Sequence, residues 1–262
     1  MNRILLFLLF ILSFTVALWA TEPFRFALLT DLHISILKPQ HAEDLQLVVV
    51  DVNTNAKIDF VLIDGDDSDK GDLESLQAAK KILDKLRVPY YITSGNHDTN
   101  NGKITLDNFL QVFGHDTFSF DHKGFYFVGF PTVPVSGGSL GHIAAGDLNF
   151  IKTELQHITN QHPVFLVTHY PLLEGDVDNR GDLIQLFPDY NIVAVLNGHY
   201  HRNALFSYNG VPGIVNRSTL RGDKPVGGYS IYTVSDSLKV AEKIIGQPER
   251  EWLSISLRNN DL

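Results

Sequence analysis

An α/β fold in a single domain is what the sequence predicts, on three observations. Short, continuously apolar runs recur along the chain. Amphipathic helical stretches separate the early ones, and the last third is rich in hairpin signals. Continuous rather than alternating apolarity marks strands covered on both faces. In chain order the candidate strands are "FRFALLT" (24–30), "FVLIDG" (60–65), "PYYITS" (89–94), "FYFVGF" (125–130), "VFLVTH" (164–169) and "NIVAVLNG" (191–198). Between them, 72–86 places Leu73, Leu76, Ala79, Ile82, Leu83 and Leu86 on one helical stripe. A second helix is expected over 146–158 with Asp147 as its N-cap. "ALFSYNGVPGIVN" and "GGYSIYTVSDSLKVAEKII" read as antiparallel strands joined by Asn-Gly and Asp-Ser turns. No linker, charge block or repeat divides residues 22–262, which form one domain.

The first twenty residues differ in kind. "MNR" precedes the apolar run 4–20 and polar "TEP" follows, so residues 1–20 are expected to act as a signal peptide cleaved after Ala20. The rival reading is an uncleaved N-terminal anchor, and both put the domain outside the cytoplasm. No stable membrane insertion is expected once the signal is removed. The chain has 262 residues, 44% hydrophobic and 19% charged, with a net charge of −9. That acidity argues against a nucleic-acid partner, which needs a basic face. With no cysteine, disulfides, thiolate metal sites and cysteine nucleophiles are excluded.

Five of the strands end in ligand-capable polar residues: "TDLH", "DGDDSD", "SGNHD", "THYP" and "NGHYH". In open α/β sheets, ligands collect beyond the carboxyl ends of strands. Asp31 and His33 are two apart, so on an extended strand both would point to one side, and His199 and His201 repeat that spacing. With Asp66, Asn96 and His169 they make seven nitrogen and oxygen donors and no sulfur. If one carboxylate bridges, this set gives four protein contacts to each of two metal ions. Imidazole with carboxylate suits manganese, iron or zinc. Two divalent ions against two carboxylates and a hydroxide leave a small positive charge that attracts a phosphate group.

"DLH" at 31–33, "GDDSD" at 65–69, "GNHD" at 95–98, "HYP" at 169–171 and "GHYH" at 198–201 resemble, in order and spacing, the calcineurin-like metallophosphoesterases. The resemblance implies a four-layer α/β/β/α sandwich of two mixed sheets with a dinuclear site at the strand ends. It implies that Asp31, His33, Asp66 and His201 hold one metal and that Asp66, Asn96, His169 and His199 hold the other. His97 matches the general acid that protonates the leaving oxygen after attack by a metal-bridging hydroxide, and Asp98 the carboxylate that orients it. Two positions depart from the pattern. Asp67 stands where the family usually has an apolar residue, either adding negative charge near the site or facing solvent. Asp69 replaces the tyrosine with which purple acid phosphatases bind ferric iron.

The expectation is an exported phosphoesterase acting on a small-molecule phosphate ester. The loops 132–146 and 172–182 are Gly-rich and acidic and offer no obvious cationic clamp for a dianion, which slightly favours a phosphodiester over a monoester. A nuclease, or a non-catalytic binding module of the same fold, are the rivals. His41, His115, His122, His142, His157 and His162 fit no motif and are expected on the surface or in loops. The same holds for Arg180, Arg202, Arg217 and Arg221, with phosphate contact as the other reading. Asn216-Arg217-Ser218 is a glycosylation sequon, and "RGD" at 221–223 is read as chance.

Overall fold

The computed structural model describes residues 22–55, 57–99, 103–134, 139–158 and 162–257. The expected signal peptide lies outside them. No helix among the described residues is long and apolar enough to cross a membrane. In chain order the elements are β1 (Phe24–Leu29), α1 (Pro39–Thr54), β2 (Phe60–Ile63), α2 (Leu73–Leu83), β3 (Tyr90–Ile92), α3 (Asn96–Thr99), α4 (Lys103–Phe113), β4 (Phe118–His122) and β5 (Phe125–Gly129). Then come β6 (Val133–Pro134), β7 (Gly141–His142), α5 (Ala145–His157), β8 (Val164–Val167), α6 (Gly181–Ile184), β9 (Ile192–Asn197), β10 (Ala204–Tyr208), β11 (Val211–Val215), β12 (Gly228–Val234), β13 (Ser237–Ile244) and β14 (Arg250–Ser256).

Two six-stranded mixed sheets result, ordered β14-β13-β12-β1-β2-β3 and β10-β11-β9-β8-β5-β4. Within them β1, β2 and β3 run parallel, as do β5, β8, β9 and β11. Alternation along β1 builds the layers, because successive side chains point to opposite faces. Phe26 and Leu28 face the second sheet, packing with Phe127, Phe165 and Leu196. Ala27 and Leu29 face the helical layer, packing with Leu45, Val48, Leu76 and Leu83. On the far side of the second sheet, Val164 and Leu166 pack with Ile151 and Leu155 of α5. This is the four-layer sandwich, with both faces of each central strand covered.

Several local expectations change. α1 and α4 have no counterpart in the sequence reading, and neither have β4 and β14. α1 carries a β-branched run at Val48–Val50 and begins after Lys38 with no side-chain cap, so propensity and capping signals are both weak. Asp147 is not a cap: α5 starts at Ala145, which places Asp147 inside its first turn. Asp72 does cap α2, accepting from the Ser75 amide at 2.9 Å.

Candidate metal centre

Ligand-capable side chains gather where β1, β2, β3, β8 and β9 end. Three overlapping groups have ligand atoms within 4.8 Å of one another: Asp31, His33 and His201; His33, Asp66 and His97; and Asp66, His169 and His199. Sharing of His33 and Asp66 joins them into one elongated site. The geometry that brings them together is not that of extended strands. Asp31, His33, Asp66, His199 and His201 all have positive φ, between 43° and 69°. Each sits just past its strand in a left-handed turn that costs a non-glycine residue about 1–3 kcal/mol. Tight glycine contacts lock those turns together. A Cβ on Gly95 would lie 2.3 Å from the Asp66 amide nitrogen, and one on Gly198 would lie 1.9 Å from Thr30 Oγ1.

The lone pairs are sorted by surrounding donors. Asp31 Oδ2 accepts from Thr30 Oγ1 and the His199 amide, which leaves Oδ1 3.1 Å from His201 Nε2. Asp66 Oδ1 accepts from the His97 amide at 2.8 Å. Its Oδ2 stands 3.1 Å from His169 Nε2 and 3.7 Å from His33 Nε2, between the outer groups. His169 Nδ1 donates to the Asp64 carbonyl at 2.9 Å, fixing the tautomer whose Nε2 faces the site. His33 and His201 point their Nε2 atoms at each other, 3.2 Å apart. Among the described residues Asp31 Oδ1, Asn96 Oδ1 and His169 Nε2 are buried and complete no hydrogen bond. Buried polar atoms without partners are costly, and these three converge with the donor chemistry expected for two divalent transition ions. The residues therefore fit the group.

Electrostatics point the same way. Burial alone would raise the Asp31 and Asp66 carboxyls. The approach of His201 and the His169 charge instead hold Asp31 low, and His169 with His33 holds Asp66 far below the carboxylate range. Burial brings His33 down to about 4, and burial with the charge of His169 does the same for His199. His169 goes the other way: burial opposes its charge, but Asp66 and Asp31 push it up to about 10. The pocket draws positive charge, and a proton on His169 stands where a cation can.

Two expectations are corrected here. The Asp98 carboxylate does not hold the His97 ring. It accepts from the amides of Gly95, Asp67 and Ser68 and from Ser68 Oγ, at 2.8–3.0 Å, stapling the 66–69 loop to the 95–98 loop. The His97 ring is held by the Asp69 carbonyl, 2.9 Å from Nδ1. Asp67 does not face solvent: it is fully buried and neither carboxylate oxygen has a partner among the described residues. Burial, with the nearby charges of Asp98 and Asp66, raises its carboxyl well above the usual range.

Other residues were invisible in the motifs. His41 is no bystander, since its Nδ1 lies 2.6 Å from the His33 carbonyl. The Tyr170 ring lies 4.1 Å from that of His199, and Ser218 Oγ donates to the Asp31 carbonyl. Arg217 is buried against Glu242 rather than exposed, and Arg221 is clamped by Asp44 at 2.7 Å. The sequon asparagine, Asn216, is buried, its amide donating to the carbonyls of Asn197 and Ile214. It is closed to glycosylation in the folded protein.

A calcineurin-like phosphoesterase family profile matches residues 24–203. The chain belongs to that family. It is a metal-dependent hydrolase of phosphoric esters with a dinuclear centre. A probable cyclic nucleotide phosphodiesterase from Coxiella burnetii is 26% identical over 73% of this chain and 77% of its own. A serine/threonine-protein phosphatase from Rattus norvegicus is 27% identical over 67% of this chain and 60% of its own. The fold matches that of a dimetal phosphatase from Danio rerio with a TM-score of 0.70, at 13% identity over 90% of this chain and 99% of that one.

Proposed function

We propose that this phosphoesterase is exported and cleaves phosphodiesters, with His97 delivering the proton to the leaving oxygen. In this reading Asp31, His33, Asp66 and His201 would hold one ion and Asp66, Asn96, His169 and His199 the other, with Asp66 serving both. The ions, when bound, supply Lewis acidity and lower the pKa of water. Manganese, iron and zinc all suit this donor set.

The observation that carries the proposal is the placement of His97. A carbonyl can only accept, so the Asp69 oxygen fixes the proton on Nδ1. The second proton, on Nε2, is then the mobile one, and the imidazolium is the acid form. The ring packs edge-on to His33 with centroids 4.6 Å apart, and its donor atom groups with those of His33 and Asp66. It is half-buried, so a leaving oxygen can reach it. Asp98 acts through the loops rather than on the ring: it fixes the backbone that aims Asn96 and His97.

The diester preference rests on the acidity of residues 172–182. Glu174, Asp176, Asp178 and Asp182 all lie in the 172–182 loop, and Tyr200 ties Asp176 to the 198–201 turn. A dianionic monoester meets more repulsion there than a monoanionic diester. The Coxiella relative carries a phosphodiesterase name and the rat relative a phosphatase name, so both reactions need measuring. Export rests on the sequence of residues 1–20.

Initial rates of the Mn²⁺-loaded protein on bis(p-nitrophenyl) phosphate and p-nitrophenyl phosphate test the substrate class. Faster turnover of the diester supports the reading, and faster turnover of the monoester overturns it. His97→Ala is expected to lower kcat about 10²-fold or more with metal content unchanged. Loss of metal with unchanged turnover per loaded site would refute the role.

A further inference from the structure

Beside the metal centre, His201 forms one wall of a second cavity of about 300 Å³ whose other walls include Arg202, Arg217, Arg221, Lys224 and Glu242. Its frame is rigid. The Asn216 amide donates to the Asn197 carbonyl and the Thr219 amide to the Thr30 carbonyl, so the 216–219 segment is tied to the strand ends that carry the candidate ligands. The charges divide into two kinds. Arg217 is paired with Glu242 at 3.3 Å, and Glu242 also with Arg250 at 2.8 Å. Arg221 is paired with Asp44 and Glu43. These are structural pairs.

Arg202 and Lys224 differ: both are exposed, and neither has a carboxylate within ion-pair distance among the described residues. Arg202 is positioned by Tyr200, its guanidinium carbon 5.7 Å from the ring centroid. The one acid in the wall without a cationic partner is Asp223. In a chain of net charge −9, the two unpaired cations of this cavity outnumber its one unpaired acid, and the cavity opens onto a candidate metal ligand.

We infer that this cavity is a substrate subsite for an anionic group, a carboxylate or a second phosphate, on the part of a phosphodiester distal to the bond cleaved. The acidic 172–182 segment and the cationic cavity then divide the labour: the acidic segment disfavours excess charge at the reacting phosphorus, and Arg202 and Lys224 recognise charge beyond it. The inference rests on the phosphodiesterase reading.

Four p-nitrophenyl phosphodiesters that share a leaving group test it, with ethyl, 2-carboxyethyl, 2-phosphoethyl and choline as the other substituent. On the Mn²⁺-loaded full chain, an anionic ester is expected to exceed the choline ester about tenfold in kcat/KM, mainly through KM. The faster of the two anionic esters names the group. In the Arg202→Ser/Lys224→Ser double variant the ratio should collapse toward that of the uncharged ethyl ester. Equal rates on all four, or a preference that survives in the double variant, would overturn the subsite alone. Failure of all four beside turnover of p-nitrophenyl phosphate would overturn the diesterase reading, and the subsite with it.

Discussion

Phe165 lies within β8 and His169 two residues past its end; both are without solvent exposure, and their surroundings are opposite in kind. Phe165 stacks on Phe127 at 5.0 Å and meets Phe26 edge-on at 6.0 Å, inside a layer filled by apolar side chains. His169 lies among Asp31, Asp64 and Asp66, at positions where several buried oxygens and nitrogens complete no hydrogen bond. Backbones differ in the same sense. Five of the seven non-glycine residues with positive φ among the described residues belong to the site. Burial in the core is self-consistent and stabilising. Burial in the site opposes stability unless cations arrive, and consistency broken locally is the expected mark of function.

That contrast can be broken or sharpened experimentally. Phe165→Ala should cost about 3–5 kcal/mol by urea unfolding, the range for a large aromatic lost from a packed core, while metal content per folded chain stays unchanged. A loss of metal would mean that the two regions are not independent. Removing the metal ions should cost about 2.7 kcal/mol per ion relative to protein with metal at a hundredfold over its Kd. Reloading should restore the loss, with calorimetry as the check; an indifferent Tm would contradict a site that depends on cations.

Asp67→Leu has the smallest expected effect and the opposite sign. Burial, with the charges of Asp98 and Asp66, raises the Asp67 carboxyl well above the usual range. The unfolded chain ionises near pH 3.9, so the buried acid weakens the fold as pH rises above that value. The substitution should stabilise metal-free protein by about 1–3 kcal/mol near neutral pH. The gain should fade as the pH falls toward about 4, where the unfolded group is protonated too. Unfolding curves at the two pH values decide it, and a destabilised variant at neutral pH would give Asp67 a role beyond its own burial.

The candidate ligands were legible in the sequence because each motif is a contiguous block at a strand end and the strands are continuous apolar runs. What it could not carry is long-range bonding. Asp98 follows His97 in sequence, yet its partners Asp67 and Ser68 lie thirty residues away across a loop–loop contact. The group that fixes His97 is a backbone carbonyl, which has no residue signature. The i, i+2 spacing of Asp31 with His33 suggested extended strand, but the chain turns left-handed at both. α1 was hidden by its valine run, where tertiary packing of Leu45, Val48 and Val52 on the sheet overrides weak propensity.

The most direct test of a site built to hold cations is a titration of Mn²⁺ into metal-free protein, reading ions bound and protons released together. With the His169 imidazole pushed up to about 10 by its carboxylate neighbours, it carries a proton at neutral pH that a bound ion must displace. The account predicts two ions per chain, release of at least one proton, and affinity that falls as the pH is lowered. One ion per chain, or binding with no proton released, would contradict it.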